Sequence, residues 1–217
     1  MSLQAIAIPP TTNTPATGLF VGLHGWGANA QDLASLAPLM NLPDCQLLFP
    51  DAPFPHPHAP GGKMWYGFPE GYNFLSQPDF RHQQDLAESR QRLQDWLLSL
   101  ESTLGIPLSR TILAGFSQGG AMTMDVGLQL PLAGLMVLSG YAHAPILTAA
   151  PYTSPLFMVH GKQDPVVPLL AAHQARDDLS TQGAQVQYHE LDMGHEIQPM
   201  ALALMRSFIL EVLSKVS

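Results

Sequence analysis

Basic side chains are scarce in this chain: its 217 residues hold 9 Lys and Arg against 17 Asp and Glu, a formal net charge of −8. That balance repels phosphate backbones and anionic lipid surfaces more than it attracts them, so nucleic acid is not expected as a partner. Cysteine is nearly absent. The lone Cys45 cannot close an internal disulfide, which agrees with a reducing compartment, and within "CQLLFP" it reads as a small buried apolar side chain. No apolar run approaches the roughly 20 residues that span a bilayer. The start, "MSLQAIAIPP", has no basic residue ahead of its short apolar run, so neither a secretion signal nor a stable membrane anchor is expected, and a cytoplasmic protein is. Repeats, low-complexity tracts and linker-like breaks in composition are missing too. With 46% hydrophobic residues the chain has ample material for a core, and one domain over residues 1–217 is expected.

What is present is an alternation. Short runs rich in β-branched and aromatic residues fall near Gln4–Ile8, Leu19–Leu23, Gln46–Phe49, Thr111–Phe116, Gly134–Ser139, Leu156–His160 and Gln185–Leu191. Between them lie amphipathic stretches near Ala30–Met40, Asp79–Leu104, Ser117–Gln129, Leu169–Gln182 and Gln198–Val216, of which Asp79–Leu104 has the clearest helical spacing and is stopped by "GIP" at Gly105–Pro107. Strands alternating with helices predict an α/β fold with a mostly parallel sheet. One segment breaks the rhythm. Residues 51–78, dense in Pro and Gly, also carry Trp65, Phe68, Tyr72, Phe74 and Leu75. A loop of this length inside one domain reads as a lid or binding loop, or as an apolar cluster pinned under proline, and both can hold at once. His56 and His58 within it read as solvated loop residues rather than metal ligands, and the ten methionines, Met122, Met124, Met136 and Met158 among them, read as core filler.

The chemistry concentrates in "AGFSQGG". Gly115-Phe116-Ser117-Gln118-Gly119 fits G-x-S-x-G, with a predicted strand before it and a helix after it, the context in which a sharp corner presents a serine hydroxyl. A serine needs a base to take its proton, and the base needs an acid to hold its tautomer. His195 in "DMGHEI" and Asp164 in "HGKQDPVVP" each sit just past a predicted strand end, and the order Ser117, Asp164, His195 is the Ser…Asp…His order of α/β-hydrolases. Asp192 lies too near His195 on the same loop, and Asp177 and Asp178 belong to a predicted helix, so Asp164 is the expected acid. His160, at a strand end, reads as structural. An oxyanion is expected to meet two backbone N–H groups, that of Gln118 at a helix start and that of Trp26 in "LHGWGAN".

These motifs together, "LHGWGAN", "PDAPF", "WYGF", "AGFSQGGAM", "HGKQDPVVP" and "MGHEI", resemble the phospholipase/carboxylesterase group of α/β-hydrolases, over roughly Leu19 to Phe208. The resemblance implies a central sheet flanked by helices, a serine mechanism without cofactor or metal, and acyl esters or thioesters as small-molecule substrates. Carried over by motif, Ser117 is the nucleophile, His195 the base and acid, and Asp164 its orienting partner. Trp65, Phe68, Tyr72, Phe74 and Leu75 are expected to wall an acyl slot. Small to medium acyl esters are the expected substrates, with a lysophospholipase or acyl-protein thioesterase as the alternative and a non-catalytic binding homologue as a remoter one; a homodimer is left open. Two departures stand out: Asn29 replaces the acidic residue common after the histidine-glycine pair, so the loop is expected to be anchored differently, and the N-terminal cysteine of some eukaryotic thioesterases is absent.

Overall fold

A computed structural model describes residues 3–12, 14–74, 83–144, 146 and 152–215. In chain order its elements are β1 (Ala5–Ile8), β2 (Gly18–Leu23), α1 (Ala30–Ala34), α2 (Ala37–Met40), β3 (Cys45–Pro50), β4 (Phe54–Pro55), β5 (Lys63–Met64), α3 (Gln84–Leu104), β6 (Thr111–Phe116), α4 (Gln118–Gly127), β7 (Gly134–Leu138), β8 (Leu156–Gly161), α5 (Leu169–Thr181), β9 (Val186–Leu191) and α6 (Pro199–Lys215). Seven strands form one sheet in the order β1-β3-β2-β6-β7-β8-β9. Among the described residues of this sheet, only β1 runs antiparallel to its neighbour, pairing Ala5 with Pro50 and Ile8 with Leu47 at the edge. The remaining pairings are parallel, as the alternation of strands and helices predicts.

The central strands are buried on both faces, and their side chains alternate between two cores. Leu19, Val21 and Leu23 of β2, Leu113 of β6, Leu135 and Val137 of β7 and Met158 of β8 join the layer under α3, α4 and α5, with Leu86, Leu93, Leu97 and Met122. The residues alternating with them, Phe20, Ile112, Met136, Leu138, Phe157 and Val159, join the layer under α1, α2 and α6, with Met40, Met205, Phe208 and Ile209. The period-2 pattern of a strand thus supplies two hydrophobic faces at once, and a one-residue slip would exchange them. Helix α3 turns Leu86, Leu93, Trp96, Leu97 and Leu100 inward and ends at Gly105, whose φ of 72° closes the helix with a bond to the Glu101 carbonyl.

Two stretches depart from the sequence reading. The helix expected over Ala30–Met40 is two short helices, because Ser35 caps the first and Pro38, which has no N–H to give, occupies the first turn of the second. The long loop contains a small antiparallel hairpin, Phe54 opposite Met64 and Pro55 opposite Lys63, closed by a bond from the His56 N–H to the Gly62 carbonyl. The start of the helix expected from Asp79, and Val216 at the end of the last one, lie outside the described residues.

Cys45 opens β3 in the second core, 4% exposed. Burial, with the neighbouring Asp44 charge adding to it, pushes its thiol up to about 11. The thiolate is the reactive form. Iodoacetamide at pH 8 is therefore expected to leave the native protein unlabelled and to label it in denaturant, read by intact mass; rapid labelling of the folded chain would place Cys45 outside the core.

Candidate active site

Strand β6 delivers the chain to Ser117, and α4 begins at the next residue. Ser117 has φ 55° and ψ −116°, a backbone conformation that costs a non-glycine residue energy and has to be enforced by its surroundings. The enforcement is steric. A Cβ on Gly115 would overlap the Gly119 carbonyl, and one on Gly119 would overlap the carbonyls of Leu23 and His24, so the corner closes only with glycine at both positions. The Ser117 N–H is tied to the Leu138 carbonyl at 2.8 Å, which anchors the corner to the next strand.

Ser117, Asp164 and His195, which sequence reasoning placed past three different strands, meet here. His195 Nε2 is 2.9 Å from Ser117 Oγ, and His195 Nδ1 is 2.7 Å from Asp164 Oδ2. The other carboxylate oxygen, Oδ1, accepts the Val166 and Val167 N–H groups, each at 2.9 Å. Burial alone would raise the Asp164 carboxyl, but the bond from His195 and the two backbone N–H groups outweigh it and hold the group below its ordinary value. With Asp164 ionised, Nδ1 carries the imidazole proton and Nε2 faces the serine hydroxyl as an acceptor. Asp192, the acid set aside from sequence, pairs with Lys162 at the surface instead. His160 has a definite part: its Nε2–H donates to the Val167 carbonyl at 2.8 Å and lies 3.4 Å from Asp164 Oδ2, so a buried ring, its pKa lowered by desolvation, braces the Asp164 loop.

The Trp26 and Gln118 N–H groups enter no hydrogen bond among the described residues. They flank the corner. Gly25, next to Trp26, approaches so closely that a Cβ on it would lie 3.4 Å from Ser117 Cβ. The Trp26 loop is held by Gly27 N–H to the Lys63 carbonyl and Lys63 N–H to the Ala28 carbonyl, 2.9 and 2.8 Å. Asn29 closes it as well: its side chain caps α1, accepting from Gln31 and Asp32, while Asp32 accepts the Asn29 N–H at 3.0 Å. Asn29 and Asp32 thus anchor the loop by a reciprocal cap.

Several roles were not legible beforehand. The Gln118 side chain, fully buried, accepts the Trp65 N–H at 2.9 Å and donates to the Tyr66 carbonyl at 2.8 Å, clamping the long loop to the corner. Trp65, expected to wall an acyl slot, is instead 0% exposed, with its indole N–H on the His24 carbonyl at 3.0 Å and its own carbonyl accepting from Ser89 Oγ. A tryptophan with its N–H satisfied inside the fold is a support for the loop, not a face of it. His24 is neutral by geometry, donating from Nδ1 to the Gly25 carbonyl and accepting the Ala52 N–H at Nε2, and desolvation lowers its pKa accordingly. His56, read as solvated, is half-buried: its Nδ1 accepts the His58 and Ala59 N–H groups and its ring lies edge-on to Trp26 at 4.1 Å.

Phe68, Tyr72 and Phe74, each partly exposed, form one aromatic cluster, with Phe68 stacked on Tyr72 at 4.8 Å and Phe74 edge-on to Tyr72 at 4.9 Å. Phe68 also meets Trp26 at 5.6 Å, so the cluster is continuous with the loop beside Ser117. Leu75 lies outside the described residues. Among the described residues no cluster of three or more His, Cys, Asp or Glu has the arrangement of a metal site, and no helix is long and apolar enough to cross a membrane.

Comparison with known proteins bears on family and fold. A family model described as Phospholipase/Carboxylesterase matches residues 6–213. The chain belongs to that family. Acyl-protein thioesterase 1 of Neurospora crassa is 31% identical over 98% of this chain and 93% of its own length, and lysophospholipase-like protein 1 of Mus musculus is 25% identical over 96% and 91%. Among solved structures, the crystal structure of esterase PE8 superposes with a TM-score of 0.86 at 27% identity, covering 98% of this chain and all of that one. The phospholipase/carboxylesterase family is one of hydrolases on the α/β-hydrolase fold, which is the fold described above.

The Gln118 clamp can be tested apart from chemistry. Gln118→Ala strands a buried donor and a buried acceptor, and we expect a stability loss of about 2 kcal/mol in urea unfolding. Gln118→Glu, which keeps the acceptor for Trp65 but sets a carboxylate against the Tyr66 carbonyl, is expected to be no better. A parent-like midpoint in Gln118→Ala would show that the two peptide groups find other partners.

Proposed function

We propose that the protein is a serine hydrolase that cleaves carboxylic esters of small to medium acyl chains through an acyl-enzyme intermediate. The observation that carries this reading is the unbroken hydrogen-bond line from Ser117 Oγ through His195 to Asp164, at 2.9 and 2.7 Å. Ser117 Oγ attacks the ester carbonyl carbon while its proton passes to His195 Nε2, and the charge this leaves on the imidazolium faces the Asp164 carboxylate. The carbonyl oxygen, now an oxyanion, takes the N–H groups of Trp26 and Gln118. Collapse breaks the bond to the alcohol oxygen, which leaves with the proton from His195. Water then repeats the sequence: His195 takes one proton from it, the hydroxide adds to the acyl carbon, and the acid departs as Ser117 Oγ recovers its proton.

Phe68, Tyr72 and Phe74 make the apolar wall against which the acyl chain lies, with Trp26, 43% exposed, at its mouth. Trp65 backs that wall from inside the fold. The intact hydrogen-bond line is what a non-catalytic homologue would have no reason to keep. A second reading has its own support: relatives from Neurospora crassa, Saccharomyces cerevisiae and Schizosaccharomyces pombe bear the name acyl-protein thioesterase 1, and the same steps cleave a thioester with a thiol as leaving group. A cytoplasmic enzyme acting on soluble acyl compounds fits both.

A fluorophosphonate is expected to add once to the parent and not to Ser117→Ala, read by intact mass. Asp164→Asn is expected to lower kcat for a p-nitrophenyl ester by about 10³–10⁴-fold with KM little changed, because the imidazole loses its tautomer rather than the substrate its pocket. Matched ester and thioester series then decide between the two leaving groups. A folded parent that takes no adduct would overturn the serine mechanism.

A further inference from the structure

Beneath the aromatic wall runs a chain of buried polar groups that the hydrolytic steps do not use. Tyr141 and Tyr66 share a hydrogen bond between hydroxyls at 2.5 Å, Tyr66 Oη is 2.6 Å from His143 Nε2, and His143 Nδ1 is 2.9 Å from Asp125 Oδ2, which also accepts from Arg90 Nε. Tyr66, Tyr141 and His143 are all nearly inaccessible. One end of the line is a carboxylate. Burial alone would raise the Asp125 carboxyl, but the bonds from His143 and Arg90 outweigh it and keep it ionised, so His143 donates to it from Nδ1. Burial keeps both phenols protonated, so the Tyr141 and Tyr66 hydroxyls and the His143 imidazole form one continuous hydrogen-bonded line to that carboxylate.

The relay reaches the wall through ring contacts. Tyr66 meets Phe68 edge-on at 5.8 Å, and Tyr141 meets Phe74 at 4.8 Å and Tyr72 at 6.3 Å. Tyr141 also belongs to a small core with Val167, the residue whose N–H holds Asp164, and Ala171. Four elements are thus locked together: the long loop by Tyr66, α3 by Arg90, α4 by Asp125, and the segment after β7 by Tyr141 and His143. We propose that the Tyr141–Tyr66–His143–Asp125 relay sets the enzyme's acyl-chain specificity, fixing from behind the position of the Phe68, Tyr72 and Phe74 wall over Ser117. Its members are positioning residues, since the hydroxyls and the imidazole are buried away from any substrate. This inference rests on the reading of that wall as the acyl slot.

The test compares Tyr66→Phe, which deletes only the shared hydroxyl, with Phe68→Ala, which removes part of the wall itself. Both are assayed on p-nitrophenyl acetate and p-nitrophenyl octanoate, with fluorophosphonate labelling rate as the measure of the serine. Tyr66→Phe is expected to raise KM for octanoate by about tenfold while kcat and KM for acetate and the labelling rate stay within about twofold. Phe68→Ala is expected to shift the octanoate-to-acetate ratio in the same direction. If Phe68→Ala shifts the ratio and a folded Tyr66→Phe does not, the relay proposal is wrong and the wall assignment stands. If neither shifts it, the wall assignment has failed first and takes the proposal with it. Equal losses on both esters, or slowed labelling, would overturn it by showing that the relay supports the fold as a whole. Arg90→Met, at the solvent end of the relay, serves if Tyr66→Phe does not fold, with a smaller shift of the same sign expected and a parent-like ratio counting against the relay.

Discussion

Gln118 is the residue on which the site's two halves depend. Its backbone begins α4 directly after the strained Ser117, and its side chain reaches across to bond the peptides of Trp65 and Tyr66. One residue therefore ties the corner that presents the hydroxyl to the loop that shapes the space above it. A buried amide with both ends engaged has no low-energy alternative, because releasing either bond leaves a peptide group without water. The loop is thus tied to the sheet's corner at Trp65 and Tyr66 in spite of its proline and glycine content.

The same logic of forced satisfaction recurs at two carboxylates. Asp164 and Asp125 each stand partly buried, each holds a histidine by its Nδ1, and each is kept ionised by donors that outweigh desolvation. What differs is the far side of the imidazole. His195 Nε2 faces a serine at the end of a strained corner, whereas His143 Nε2 faces a phenol sealed inside the fold. Two similar couples thus differ in what the far nitrogen meets: in the proposed function the first moves a proton, and in the proposed relay the second holds a wall.

The difference in legibility between these two couples is physical. Ser117, Asp164 and His195 could be read from the sequence because each follows a strand, and strand ends in a parallel sheet converge on one edge whatever lies between them. The glycines of "AGFSQGG" marked the corner for the same reason, since close backbone approach excludes other residues. Tyr66, His143 and Asp125 carry no such marker. They come from a loop, a post-strand segment and mid-helix, and nothing in periodicity or composition predicts that a tyrosine and a histidine 77 residues apart will share a proton. Trp65 misled for a related reason: an aromatic in a proline-rich loop looks like a surface feature until its N–H is found on the His24 carbonyl. The break between α1 and α2 was available in Pro38, and a strictly local reading would have placed it.

Burial of Trp65 also explains why the neighbouring aromatics can stay partly exposed. An isolated cluster of Phe68, Tyr72 and Phe74 on a long loop would gain more by collapsing inward than by standing open beside Trp26. Trp65 belongs to the core against which Phe68 and Tyr72 pack, and the buried Tyr66 and Tyr141 rings lie directly against the cluster, so the space for that collapse is already filled. The exposed rings are then held out by a full core, and the apolar surface they present is sustained by packing behind it. If these rings wall the acyl slot, as proposed, its shape depends on the filled volume behind them, and polar groups that never meet a substrate then bear on which substrate fits.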